Sequence, residues 1–470
     1  MATPDFASFQ KTFAGDIVTP EHPDYAKAIA RWAINAERKA KIVAYVKNAN
    51  DVALAIKYAQ AEGLPIAIRG GGHSTMGGSS SENGLVIDLS RHLNTARIDP
   101  EQQLAYIGGG AVWATVDKAA IQHGLATVGG TVNHTGVGGL LLGGGFGWLT
   151  PAHGLTIDNL VQATIVAADG VAYTASETEN PDLFWGIRGG GSNFGVLVEA
   201  VLKLHPQRRT VFAGPVIFKG DVFEEFMAVT KKWWESGVSD KEAIHEVFTV
   251  APDGSGPCVV ANFFYNGSEA EGRANFKEFY NLKPVVDLAR ELPYEELNGM
   301  QNALVEHGSG RYLKGSFFTK IDVESTRKAW DLAVKHCNSE HQGTLILEFV
   351  KQDKVNSVSP DAMAYTLRGG MNAVTTWVWQ KNTPENLAFA HKAGKEVLEA
   401  ISRGQQANAT GNTASYGNYD HDTHVIGDEN AGQSRARALF GKNYERLQVL
   451  KKKYDPNMIF DKWFVITPSS

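Results

Sequence analysis

Up to about residue 205 the apolar positions of this chain alternate between helical stripes and short unbroken runs. After Asn50-Asp51, which can cap a helix, Val52, Ile56 and Ala59 recur on one helical face, and Gly63 stops the pattern. Pro65 opens an apolar run through Ile68 to Arg69, and residues 85–89 and 104–107 read as further strands. Residues 112–123 are helical and stop at Gly124. The run 160–168 ends in the turn Asp169-Gly170 before Val171-Ala172-Tyr173, a hairpin signal.

Beyond Pro206 the texture changes. Strand-like runs at 210–218, 243–250, 258–265, 344–350 and 373–380 alternate with helical stretches at 222–234, 269–280, 324–336 and 384–401. That order predicts an antiparallel sheet covered by helices on one side. A polar segment, 403–413, leads to 415–422, and a helix at 434–453 closes the pattern. Glycine marks the same boundary, because 26 of the 49 glycines lie between Gly70 and Gly195. Such density implies many tight turns or close approach of backbone to a ligand.

With 470 residues the chain has room for two to three domains. A formal net charge of −6 draws it to neither nucleic acid nor anionic lipid. Lys451-Lys452-Lys453 reads as a solvated helix end. Two cysteines, Cys258 and Cys337, cannot form a disulfide framework. No signal peptide and no apolar run of membrane-spanning length is visible, which predicts an intracellular protein, a trimmed secreted form being the alternative. Asp420, His421, Asp422 and His424 lack zinc-ligand spacing, so no metal is expected.

The chemistry lies in glycine loops. Arg69-Gly70-Gly71-Gly72-His73-Ser74 follows an apolar run and puts an imidazole at the end of a loop that another molecule can approach closely. A second loop runs from Gly129-Gly130-Thr131-Val132-Asn133-His134-Thr135-Gly136 through Gly138, Gly139, Gly143, Gly144 and Gly145 to Leu149. A third runs from Asn180 through Arg188-Gly189-Gly190-Gly191 to Gly195-Val196, and a fourth segment is Tyr416-Gly417-Asn418-Tyr419. None fits G-x-G-x-x-G or G-x-x-x-x-G-K-S/T, so neither a Rossmann dehydrogenase nor a triphosphate-binding loop is indicated. Exposed N–H groups in such loops suit the pyrophosphate of a dinucleotide.

In this order the four segments resemble the berberine-bridge-enzyme-like branch of the vanillyl-alcohol-oxidase/PCMH superfamily, across nearly the whole chain. The resemblance implies an α+β fold. Residues 1–206 would form a PCMH-type FAD-binding domain of two α+β subdomains, 207–415 a substrate domain, and 416–470 a segment returning to the FAD domain. It implies FAD joined by its 8α carbon to His73. Cofactor contacts would come from Arg69, Gly70, Gly71, Gly72, Ser74, Gly77, Gly130, Thr131, Thr135, Gly136, Gly138, Gly139, Gly143, Gly144, Gly145, Gly195, Val196 and Asn418. Many members carry a second link through a cysteine at the position of Val132, so one histidyl bond is expected here, as in hydroxynicotine-oxidase-like relatives. Thr135 falls where the family gates oxygen.

The implied activity is oxidation of a small alcohol, carbohydrate or secondary metabolite. Hydride would go to flavin N5 and O2 would reoxidise the cofactor, giving H2O2. An amine oxidase, an oxidative cyclase and a flavin-binding protein with little turnover are the alternatives, in a monomer or weak dimer. The family's Tyr-x-Asn-Tyr string makes Tyr419 the first candidate base, with Tyr416 beside it. A free tyrosine has a pKa of about 10, so Tyr419 needs positive charge or hydrogen bonds to act as a base. Glu348, amid Leu345, Ile346, Leu347 and Phe349, is a second candidate if it faces inward. His134 either touches substrate or bonds its own loop. Thr375, Trp377, Trp379 and Gln380 are candidate substrate contacts; the two tryptophans share a sheet face and serve either as stacking platforms or as core.

Overall fold

In the computed structural model, which describes residues 5–251, 253–402, 415–420 and 429–470, the chain up to residue 206 builds two main sheets and a two-stranded one, Leu125–Ala126 with His205–Pro206. The first runs in the order Asp16–Val18, Ile42–Tyr45, Leu85–Asp88, Ile66–Arg69, with the last three strands parallel. The crossover helix Ala49–Ala61 starts at Asn48, whose side chain accepts from the Asp51 N–H at 3.0 Å, two residues before the expected cap. Its buried Val52, Ala55, Ile56 and Ala59 pack on Ile42, Ala44 and Ile66. The glycine loop after Arg69 therefore leaves the carboxyl end of a parallel sheet, the edge where open sheets bind ligands.

The second sheet is antiparallel, in the order Ala96–Asp99, Leu104–Gly108, Val196–Lys203, Leu160–Val166, Ala172–Ser176. It contains the predicted hairpin, Leu160–Val166 paired with Ala172–Ser176. The third is eight-stranded and antiparallel. Its long strands run Thr210–Lys219, Pro257–Tyr265, Glu242–Val250, His341–Val350, Met371–Trp379, Gly310–Phe318, with Val286–Asp287 and Arg290–Pro293 paired to the outer edge. The strand Gly310–Phe318 has no counterpart in the sequence reading, because Arg311 and Lys314 interrupt its apolar run. The stretch read as one helix at 434–453 is two, Glu429–Phe440 and Tyr444–Tyr454, parted at Gly441, whose φ is +48°. The stretch 269–280 likewise splits, into Glu269–Asn275 and Lys277–Tyr280.

Helices Phe223–Glu235, Val323–His336 and Pro384–Ser402 cover one face of the third sheet. Their Met227, Trp330 and Val397 pack with Leu345, Leu347 and Phe349. Trp377 and Trp379 belong to this helix-covered core, fully buried. Thr375 shares their face, taking a hydrogen bond from Trp377 Nε1 at 3.0 Å and donating to the Thr344 carbonyl. Strand alternation thus turns all three away from the cleft, and the expectation that they contact substrate is corrected. Gln380 lies at the exposed strand end, 3.4 Å from Ser309 Oγ.

The same core holds a carboxylic acid. Glu246 is fully buried, accepts from Thr230 Oγ1 at 2.6 Å, and burial pushes it up to about 8. A carboxyl raised in the folded state favours folding fully below its unfolded pKa and progressively less as pH climbs to its folded one. Glu246→Gln is therefore expected to be more stable than the parent at pH 9, by roughly 1–3 kcal/mol, and indistinguishable near pH 4. Urea midpoints at the two pH values check this.

Leu439, Tyr444, Leu447, Leu450 and Tyr454 share a core with Phe184, Ile187 and Phe194, so the C-terminal helices pack on the first part of the chain. Lys451 is not a solvated helix end. It is wholly buried, paired with Asp455 at 2.7 Å, and donates to the carbonyls of Asn193 and Phe460.

Candidate active site

Three backbone segments converge above the parallel sheet. A β-carbon on Gly71 would fall 2.4 Å from the nitrogen of Gly136, and one on Gly70 or Gly138 would fall 3.0 Å from the carbonyl oxygen of Gly109. The loops at 69–74, 108–111 and 135–139 meet without side chains between them. Ser74 Oγ accepts from the Gly78 N–H at 3.2 Å. Gly139 is exposed with open space around it, Thr131 and Thr135 are half-buried, and Gly77 faces Arg38 and the Ala36 carbonyl.

Other predicted cofactor glycines are explained by packing. The β-carbon space of Gly130 is taken by Leu140, of Gly143 by Asn418, of Gly144 by the Tyr365 ring, and of Gly145 by Leu140 and Thr156. Gly195 abuts the Val166 carbonyl, and the Val196 side chain is fully buried in the core against the parallel sheet.

His73 sits in a cluster of rings. Its Nε2 shares a hydrogen bond of 2.6 Å with His134 Nδ1, so His134 bonds the partner loop rather than its own. Trp32 stacks on His73 at 4.4 Å, His307 stands edge-on at 6.1 Å, and the Arg311 guanidinium lies 4.4 Å over the Trp32 ring. Burial, then the positive charge of His134, His307 and Arg311, holds His73 well below the usual imidazole range; burial likewise brings His134 down to about 4. A neutral His73 keeps a nitrogen lone pair available at neutral pH. Trp32, His307 and Arg311 carry no motif and come to His73 only through the fold.

At the far end of the cleft, Tyr419 donates to Glu348 Oε1 at 3.0 Å. Glu348 does face inward, on the sheet face opposite the helices, beside His245 and Asn372 on the flanking strands. Burial pushes its carboxyl up to about 8, against hydrogen bonds from Tyr419 and Asn372 that lower it. Burial and the charge of Glu348 raise Tyr419 well above its ordinary value. The positive neighbour that Tyr419 needs to act as a base is therefore replaced by a carboxyl group. Tyr416 is an anchor: its hydroxyl accepts from the Gly145 N–H at 3.0 Å and from Asn418 Nδ2 at 2.7 Å. Asn418 also donates to the Leu140 carbonyl.

Residues 40–176 match the model of an FAD binding domain, and residues 415–462 match the model described as berberine and berberine like. The FAD-linked oxidoreductase pgmH of Aspergillus terreus is 31% identical over 99% of this chain and 96% of its own length. This chain belongs to the FAD-linked oxidoreductases, in the berberine-like branch. A further relative of this oxidoreductase is the (R)-6-hydroxynicotine oxidase of Paenarthrobacter nicotinovorans, 37% identical over 45% of this chain and 46% of its own. Among solved structures, a 6-hydroxy-D-nicotine oxidase from Arthrobacter nicotinovorans superposes with a TM-score of 0.83 at 24% identity, covering all of both chains. A chitooligosaccharide oxidase superposes with a TM-score of 0.80 at 21% identity, covering 97% of this chain and 98% of that one. At these identities the structures show a shared fold.

The residues of this FAD-linked oxidoreductase fit its cofactor. Arg69 Nε, next to Gly72 of the His73 loop, and Ser79 Oγ and Ser80 Oγ, a few residues after it, are buried with no hydrogen-bond partner within the protein. A dinucleotide's oxygens suit such donors. Among the described residues no group of three or more His, Cys, Asp or Glu side chains is placed to hold a metal, and no helix is long and apolar enough to cross a membrane. His421, Asp422 and His424 lie outside the described residues.

Proposed function

We propose that the enzyme is an oxidase whose FAD is bonded covalently to His73 and whose catalytic base is Glu348. Residues 1–206 and 416–470 would hold the cofactor and 207–415 the substrate. When bound, FAD supplies the hydride acceptor, and its reoxidation by O2 gives H2O2. The remaining steps belong to the chain. Neutral His73, aligned by Trp32 and by its bond to His134, provides the attaching nitrogen. Val132 offers no sulfur for a second link.

Glu348 carries the reading of the reaction. It is a buried carboxyl raised to about 8, ionised and able to accept a proton at mildly alkaline pH, and it sits on the sheet face opposite the helices. Tyr419 orients it and, by donating to Oε1, favours its ionised form. The substrate loses its hydroxyl or amine proton to Glu348 as the adjacent C–H departs as hydride. An amine substrate is the second reading, favoured by the hydroxynicotine oxidase relative. Anaerobic reduction of the holoenzyme by alcohols, sugars and cyclic amines separates the two, and wild-type protein that no compound bleaches would contradict both.

A further inference from the structure

The face of the third sheet that carries Glu348 is aliphatic next to it. Val247, Ile346, Val374 and Gly315 lie in register across four strands, one step along from Glu348, and Leu313 lies two residues beyond Gly315, opposite Thr376. Among the described residues, none of these belongs to an apolar cluster of the core, and Val247, Ile346 and Leu313 are half-exposed. The next row is Thr344 and Thr376, whose hydroxyls are bonded to each other at 2.7 Å.

Aromatic and charged side chains border the patch. Tyr419 and Glu348 close one end, Arg311 over Trp32 the other, and Trp148 stacks at 4.2 Å on His245 along one side. From Phe317 to Arg311 the strand advances six residues, about 20 Å. The surface is therefore continuous with the candidate base and reaches toward the His73 cluster. Trp377 and Trp379 face the helices, whereas Phe317 lies in the Glu348 row.

Resting on the reading of Glu348 as the base, we infer that the reducing substrate has an extended apolar body, aromatic or alicyclic, with one proton-bearing group. It is not an oligosaccharide. An apolar body covers Val247, Ile346 and Leu313, beside the buried Val374, while its hydroxyl or amine meets Glu348. A sugar chain would bring a hydroxyl at nearly every carbon onto Val247, Ile346 and Leu313, which offer no partner, losing roughly tenfold in affinity for each one left unpaired.

The test is binding to the flavin-loaded enzyme, read from the flavin absorbance spectrum, with 4-alkylphenols from methyl to hexyl and with cellotetraose. The dissociation constant is expected to fall about 4-fold per added methylene, and cellotetraose is expected not to bind at millimolar concentration. Ile346→Asp weakens the hexyl compound at least tenfold; Ile346→Thr and Val247→Thr, which keep the branched shape, weaken it severalfold. A constant independent of chain length, or affinity that grows with each sugar unit, overturns the inference. Binding is read without turnover, so such a result leaves the role of Glu348 to be judged by Glu348→Gln.

Discussion

Glu348→Gln is expected to slow anaerobic flavin reduction by about 10²–10⁴-fold, the range a positioned general base contributes. The pH profile carries the diagnosis. Because burial pushes Glu348 up to about 8, its proton-accepting form grows as pH rises. The wild-type rate should climb through about pH 8 and level off, and the Glu348→Gln rate should be flat. Tyr419→Phe removes a hydrogen bond that lowers Glu348, so the rising limb should move to higher pH while the plateau stays within about tenfold. If Tyr419 were itself the base, the pattern would invert: Tyr419→Phe would abolish the plateau and Glu348→Gln would be mild. The same sign argument applies to stability. A buried acid with a raised pKa disfavours the fold at high pH, so Glu348→Gln should unfold at a higher temperature than the parent at pH 9.

Lys451→Ala is expected to lower stability by about 3–5 kcal/mol, the cost of leaving a buried charge without its partner. Lys451 ties three elements together: its own helix through Asp455, the third glycine segment through Asn193, and the C-terminal tail through Phe460. Asp455 in turn accepts from the backbone of Ile459 and Phe460. Removing the ammonium leaves a buried carboxylate and two carbonyls short of a donor. Lys452→Ala, at an exposed position of the same run, should change stability by less than about 0.5 kcal/mol. Urea midpoints of the two variants separate the buried lysine from its solvated neighbour.

Lys451 also illustrates where sequence reading stops. Three consecutive lysines at a helix end look solvated, and only the tail folding back over residues 455–460 buries the first of them. Period two in 373–380 correctly put Trp377 and Trp379 on one face, but alternation does not say which face the helices cover. For 344–350 the same alternation set Glu348 opposite Leu345, Leu347 and Phe349, and the helices took the apolar side. The strands read from unbroken apolar runs, such as Leu85–Asp88, Leu160–Val166 and Thr210–Lys219, were legible, although Ile42–Tyr45 and Val196–Lys203, equally apolar, were passed over. Gly310–Phe318 was not legible, since Arg311 and Lys314 break its run while pairing with Met371–Trp379 supplies its stability. The His73 loop stood out in the sequence because it is the first of four glycine-bearing segments in order, one loop alone being a weak signal. Its neighbours Trp32, His307 and Arg311 did not, because they approach from loops and from a strand more than 200 residues away.

The bond between flavin and His73 is to be read by intact-protein mass spectrometry under denaturing conditions, on flavin-loaded wild type and His73→Ala. Wild-type polypeptide should be heavier by one FAD and His73→Ala polypeptide should run at its bare mass. Bare wild-type polypeptide, or an FAD adduct that survives in His73→Ala, would rule that bond out.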